Sequence, residues 1–209
     1  MARYLESKCK LCRREGVKLF LKGTRCNTEK CAFAKRPNPP GMHTRVSTKQ
    51  SYYALQLREK QKTKRMYGVL ERQFRRFFDI ATKHTGATGR TLLQLLERRL
   101  DNVLYRALYA FSRTQGRQFV SHGTAFISGR RVNIPSYLVK VGEVIEIKTT
   151  DKFKKIIREN VEINSKDRSV PDWLDVDKEN LKIKIVRLPE KEDIGLPIDE
   201  QLIVELYSK

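Results

Sequence analysis

Residues 91–134 read TLLQLLERRLDNVLYRALYAFSRTQGRQFVSHGTAFISGRRVNI, and three patterns in that stretch decide the fold. First, Leu92, Leu96, Leu100, Val103, Leu104, Ala107 and Phe111 recur at steps of three and four, the spacing of a helix that buries one stripe. Arg98, Arg99 and Arg106 fall off that stripe. Second, Ser112-Arg113-Thr114-Gln115 has the order of a capping box, so a short helix begins there and ends near His122 and Gly123. Third, Ser128-Gly129 separates TAFI from RRVNI, where a hairpin needs residues that accept positive φ. Just beyond, GEVIEIK alternates Val144, Ile145, Glu146 and Ile147 as a strand does. Helices followed by a small curled sheet define an α+β class, studded here by Arg113, Arg117, Arg130 and Arg131. An ordinary α+β core with surface arginines would look the same, so the charge elsewhere has to decide.

That charge is large. The 209 residues carry a formal net charge of +20, with a pI near 10.0. Such an excess destabilises the compact state unless a polyanion neutralises it, and nucleic acid is the usual polyanion. Hydrophobic residues at 39% and charged residues at 33% suit a folded, heavily solvated chain rather than a disordered one. Residues 165–209 hold eight basic and eleven acidic side chains, so the positive charge belongs to residues 1–164. No apolar run is long enough to span a membrane, and MARYLESKCK lacks the apolar core of a signal peptide. The expectation is a cytoplasmic protein with no membrane partner.

Upstream, Tyr52 to about Lys83 reads as one helix with Leu70, Phe74, Phe77 and Ala81 on its apolar stripe. Its opening crowds Arg58, Lys60, Lys62, Lys64 and Arg65 together with only Glu59 nearby to pair them, and Arg72, Arg75 and Arg76 extend the basic surface. Such a run is usually a solvated face; the shortage of carboxylates favours phosphate contact. HTGATGRT (84–91) breaks the helix. Before it, KRPNPPGMHTR (35–45) reads as extended and exposed, either a linker or a strap whose basic ends, Arg45 among them, and His43 follow a phosphate backbone. In the acidic end, Trp173 and the alternating KIKIV indicate packed strands rather than a free tail. Glu190, Glu192, Asp193, Asp199 and Glu200 there suit the basic surface of a neighbouring protein, or merely solubility.

All four cysteines fall within 23 residues, as Cys9-x2-Cys12 and Cys26-x4-Cys31. A first pair on a tight knuckle, a loop, and a second pair that closes the cage is the layout of a structural tetrathiolate zinc site. Two disulfides would suit a secreted module, for which there is no signal; a redox pair would need a thioredoxin-like βαβ pattern, which is absent. Spacing alone leaves an iron–sulfur cluster open. Arg13 and Arg14 belong to a basic surround larger than the thiolates need, and the surplus should face a partner. No catalytic constellation is visible: the three histidines are far apart, and no P-loop, dinucleotide glycine pattern or nucleophile elbow occurs.

YGVLERQFRRFF, TLLQLLERRLDNVLYR, SRTQGRQFVSHG and IPSYLVKVGEVIEIK closely resemble the bacterial-type small-subunit ribosomal protein S-four family. The likeness runs from CKLCRREG to LIVELYSK, nearly the whole chain. It implies a non-enzymatic structural constituent of the small subunit that binds 16S-type rRNA directly, early in assembly and near a multi-helix junction. It further implies contact with a neighbour, S-five most plausibly, a place near the messenger entry path, and a contribution to translational accuracy. Cys9, Cys12, Cys26 and Cys31 match the zinc-binding form of the family, and Arg98 to about Lys148 match its RNA-binding module. His122 and Tyr137 join the arginines as RNA-contact candidates, although a tyrosine so near Pro135 more often packs than stacks. Leu5, Thr44, Gly116, Thr124 and Ser128 depart from the family pattern. The chain accordingly divides into a zinc module with linker (1–45), a helical domain (46–97), an RNA-binding module (98–164) and an acidic segment (165–209) that packs back on the helical domain. An RNA-modifying enzyme that borrows the same module, and a zinc-dependent nucleic-acid-binding regulator, are the alternatives; the first needs a catalytic domain, the second a recognition helix or dimerisation heptad.

Overall fold

The computed structural model describes residues 3–42, 50–195 and 197–208. The chain forms two compact units: Met1–Leu92 with Leu196–Lys209, and Leu93–Gly195.

The first unit begins with α1 (Lys8–Glu15), a single 3-10 turn (Gly23–Cys26) and the short α2 (Ala32–Lys35). The long helix expected over 52–83 is two helices, α3 (Tyr52–Met66) and α4 (Glu71–Thr82). The break has a local cause. Gly68 sits at φ 63, and the Val69 N–H reaches back to the Lys64 carbonyl at 3.0 Å, closing α3 with a left-handed cap. Ser51 caps the start of α3, accepting from Ala54 N–H at 3.2 Å. On α4 the apolar stripe is as expected, with Phe74, Phe77, Phe78 and Ala81 buried. The chain returns to this unit as α10 (Glu200–Tyr207; α5 to α9 lie between), whose Tyr207 ring stacks on Phe78 with centroids 4.5 Å apart.

α5 (Thr88–Glu97) crosses the boundary in sequence. The second unit then holds α6 (Leu100–Arg106), α7 (Arg113–Ser121), β1 (Ala125–Ile127), β2 (Arg130–Arg131), β3 (Val144–Ile147), α8 (Asp151–Ser165), β4 (Leu174–Asp177), β5 (Lys182–Ile185) and α9 (Lys191–Ile194). The Leu92-to-Ala107 stripe is fully buried, yet it is carried by two helices. Between them the chain stretches at Arg99, which bridges Leu138, while Leu100 N–H donates to the Tyr137 carbonyl at 2.9 Å. Ser112 does cap α7, its hydroxyl accepting from Gln115 N–H at 3.3 Å, and the hairpin turn has Ser128 at φ 49 and Gly129 at φ 78.

The sheet has five antiparallel strands in the order β2-β1-β3-β5-β4. Its inner face supplies Ala125, Ile127, Ile145, Ile147, Ile183 and Ile185 to one core with Leu100, Leu104, Val120, Ile157 and Trp173. Burying each such aliphatic side chain stabilises the unit by about 1.5–3 kcal/mol before chain entropy is counted. This topology differs from the expected division at 45, 97 and 164. Residues 165–209 are not one segment packed on the helical domain: β4 and β5 extend the sheet, and only α10 belongs to the first unit. The alternation in KIKIV is the reason, since Ile183 and Ile185 need a hydrophobic face and find it beside β3.

Candidate nucleic-acid interface

Each cation of the α3 run has an ion-pair partner within the unit, although its five positive charges meet only three carboxylates. Glu15 of α1 is paired with both Arg58 (3.3 Å) and Arg65, Glu71 of α4 accepts Lys60 and Lys64 at 2.8 Å each, and Glu59 accepts Lys62 at 2.7 Å. The Glu15 carboxyl is almost completely buried; burial pushes its pKa up against the pull of Arg65 and Arg58. Glu15 lies 50 residues from Arg65, and Glu71, only 7 from Lys64, reaches back across the Gly68 break, so the apparent shortage of carboxylates is partly made up by the fold. What remains on the outside is the next stretch. Arg72, Arg75 and Arg76 occupy one exposed face of α4, opposite Phe74, Phe77 and Phe78, and make no hydrogen bond or ion pair among the described residues. Arg45, with His43 and Thr44, lies outside the described residues.

In the second unit the arginines sort by depth. Arg99 is fully buried, its Nε and Nη2 donating to the two oxygens of Asp101 at 3.1 and 2.7 Å. It holds the join between α5 and α6 and cannot reach a ligand, which corrects its assignment to the RNA surface. Arg117, 11% exposed, lies 3.9 Å from the same Asp101 carboxylate. Arg98 is half-buried, donating to the Val139 carbonyl at 2.8 Å, and desolvation pulls its pKa down. Arg113 donates through Nε to Asn102 Oδ1 at 2.7 Å and lies over the Tyr105 ring. Tyr137 packs against the core and donates its hydroxyl to Glu143 at 2.8 Å, in line with packing rather than stacking. His122, Arg130 and Arg131 are exposed at the rim formed by the end of α7 and the β1–β2 hairpin. On the outer face of the sheet Glu146 accepts Lys182 of the neighbouring strand at 3.0 Å and Lys148 at 3.4 Å, which offsets part of the charge there.

Cys9 and Cys12 lie one turn apart on α1, not on a knuckle; Cys26 ends the 3-10 turn and Cys31 precedes α2. All four thiols are free, which leaves the two-disulfide alternative without support. Burial pushes the Cys12 and Cys26 thiols up, and proximity of the other thiols adds to it. Backbone N–H groups of Leu19 and Lys22 donate to the sulfurs of Cys12 and Cys26, the latter at 3.4 Å. Among the described residues, no group of three or more His, Cys, Asp or Glu side chains is drawn together as a metal site. The donor set has the chemistry of a zinc site and not its closed geometry. Arg13 is spent nearby, donating to the carbonyls of Asn38 and Pro39 at 2.8 and 3.2 Å, while Arg14 is exposed.

The acidic residues also divide. Asp193 accepts both ends of Arg187, at 2.6 and 2.8 Å, as well as Glu190 N–H at 2.7 Å; burial pushes its pKa up, and these donors outweigh it to bring the value down. Its carboxylate is therefore an internal clasp at the start of α9, not a contact for a neighbour. Asp199 caps α10, accepting from Gln201 N–H at 3.0 Å. Glu200 packs on Gly89, where a Cβ would approach its side chain to 2.6 Å. Glu190 and Glu192 are exposed.

Two family models match the chain: the ribosomal protein S4/S9 N-terminal domain over residues 3–97 and the S4 domain over 98–145. Full-length relatives are equally consistent. The chain is 57% identical to the small ribosomal subunit protein uS4 of Dictyoglomus turgidum and 57% to that of Thermodesulfovibrio yellowstonii, each over 209 residues that cover all of both chains. It is 58% identical to the uS4 protein of Caldicellulosiruptor saccharolyticus over the same full span.

Proposed function

The chain belongs to the uS4 family of small ribosomal subunit proteins, and we propose that it meets rRNA through the outer face of α4 and through the hairpin rim of the second unit. It is a structural constituent of the small subunit that binds rRNA, and it is not an enzyme. The observation that carries the choice of surface is the contrast within one unit. Arg72, Arg75 and Arg76 stand exposed on one helical face, whereas each cation of the run before them is held in an ion pair by Glu15, Glu59 or Glu71. Uncompensated guanidinium groups on a rigid helix suit the phosphates and ribose hydroxyls of a folded RNA junction. Charge reversal at Arg72, Arg75 and Arg76 should flatten the slope of log affinity for small-subunit rRNA against log salt by about one per lost phosphate contact. The same change at Arg58 and Lys60 should act mainly through stability. An unchanged slope for the first set would remove α4 from the interface.

The finer expectations form part of the same reading: early binding near a multi-helix junction, a place by the messenger entry path, a role in accuracy, and residence in the cytoplasm. No described helix is long and apolar enough to cross a membrane. Contact with a basic neighbour such as S-five is supported by the exposure of Glu190, Glu192 and Asp199, which lie where phosphate would be repelled. A structural zinc ion is supported by the chemistry of four free thiols within 23 residues, two of them accepting backbone N–H donors. Such an ion would tie α1, the 3-10 turn and α2 together. In its absence the chain still provides the Glu15 clasp that seats α1 on α3.

A further inference from the structure

We infer that Gly123 is a positioning residue for RNA recognition, because its missing side chain is the seat that fixes the guanidinium of Arg131. Arg131 lies in β2 opposite Phe126 and turns back over the end of α7. Its Nε donates to the Gly123 carbonyl at 2.9 Å, and its Nη2 donates to the His122 carbonyl at 2.9 Å. The two carbonyls are those of the C-cap His122 and of the residue just past it, at a helix C-terminus whose dipole favours a cation. A Cβ on residue 123 would lie 2.0, 2.1 and 2.4 Å from Nε, Nη2 and Cζ of Arg131. No side chain of any kind can share that space with the guanidinium.

Two demands on this glycine can be told apart. Its φ of 73 requires a residue that tolerates the left-handed region, and asparagine meets that demand nearly as well as glycine. Only the seat excludes asparagine. The seated guanidinium stays exposed, beside exposed His122 and Arg130, and its Nη1 makes no hydrogen bond among the described residues. Arg131 is thus a charge with a fixed plane rather than a swinging one. It loses less rotamer freedom on binding and presents one geometry to a phosphate or base edge. Arg130, directly after the turn, has no such seat and contributes charge alone. The inference rests on the reading that this rim faces rRNA.

The test uses the full chain, full-length small-subunit rRNA as the probe, transfer RNA as non-cognate competitor, and thermal midpoints as the fold control. Arg131→Ala should weaken binding about tenfold. Gly123→Asn should weaken it by a similar factor at a nearly unchanged midpoint, and the double variant should be no weaker than either single one. Arg131→Lys leaves residue 123 untouched and keeps the charge; it should lose about fivefold in affinity at an unchanged salt slope, since an ammonium cannot bridge both carbonyls. Wild-type affinity for Gly123→Asn or for Arg131→Lys, or losses that multiply in the double variant, would overturn the positioning role. Wild-type affinity for Arg131→Ala would instead overturn the RNA reading of the rim.

Discussion

Replacing Glu71 by Gln should destabilise the first unit at neutral pH and lose its effect in acid. Glu71 accepts Lys60, Lys64 and the Tyr207 hydroxyl, each at 2.8 Å, and so joins α3, α4 and α10 at one carboxylate. Burial alone would push its pKa up, but the three donors outweigh it and hold the carboxyl at about 2, against an ordinary 4.5. Taken whole, that fall corresponds to ~3 kcal/mol of stability above the ordinary value. The Glu71 side chain is 45% exposed, so solvent screening leaves roughly 1–1.5 kcal/mol. A depressed carboxylate stabilises the fold fully above the unfolded pKa, and the contribution disappears as pH falls from about 4.5 towards 2. Urea titrations followed by helix circular dichroism at pH 7, 4 and 3 should show wild type and Glu71→Gln converging as pH drops. Trp173 fluorescence should not be the probe, because that indole reports the core of the other unit. An equal gap at pH 7 and pH 3, or no gap at pH 7, would refute the assignment of Glu71 as an ionised hub.

Arg99→Ala should cost about 3–5 kcal/mol, because it leaves Asp101 as a buried charge without its main partner, whereas Arg130→Glu should leave stability nearly intact and weaken RNA binding. Denaturant midpoints and filter binding on the same two proteins check both halves. Ser128→Asn should raise stability by roughly 0.5 kcal/mol, since asparagine adopts the left-handed turn at lower cost than serine; a lower urea midpoint would count against it. Reduced protein should take up one zinc ion, and Cys9→Ser should both prevent uptake and speed amide exchange over residues 8–15. Metal analysis that finds no zinc in fully reduced protein would end that reading.

Local grammar predicted local structure well. The Leu92-to-Ala107 stripe, the Ser112 cap and the Ser128-Gly129 turn all rest on neighbours within a few residues, and all three are present. Even here a glycine and an arginine cut helices that periodicity alone ran together, at Gly68 and Arg99, because an apolar stripe continues across a break that keeps its phase. α8 leaves only a weak signal in the sequence, because its many charges obscure the narrow apolar stripe of Ile157 and Val161. The interface was legible only as an excess of charge. Which cations are spent depends on Glu15 and Glu71, 50 and 7 residues from the arginine or lysine they hold, and on Asp101 beneath Arg99. Gly123 carried a visible signal as a helix terminator, but its second role needs the position of Arg131, which only the folded hairpin supplies.

The return of α10 to the first unit also sets an order of events during synthesis. Residues 93–195 are contiguous and can complete their sheet and core once that segment has cleared the ribosome. The helical unit cannot. Phe78 waits for the ring of Tyr207, and Lys60 and Lys64 share Glu71 with its hydroxyl, partners separated by well over a hundred residues of chain. The part translated first is therefore finished last, and until then α3 and α4 present their cations and an incompletely covered aromatic stripe to whatever surrounds the nascent chain. A released chain truncated after residue 195 would hold a folded second unit and an open first one, a state that limited proteolysis would reveal as cleavage confined to α3 and α4.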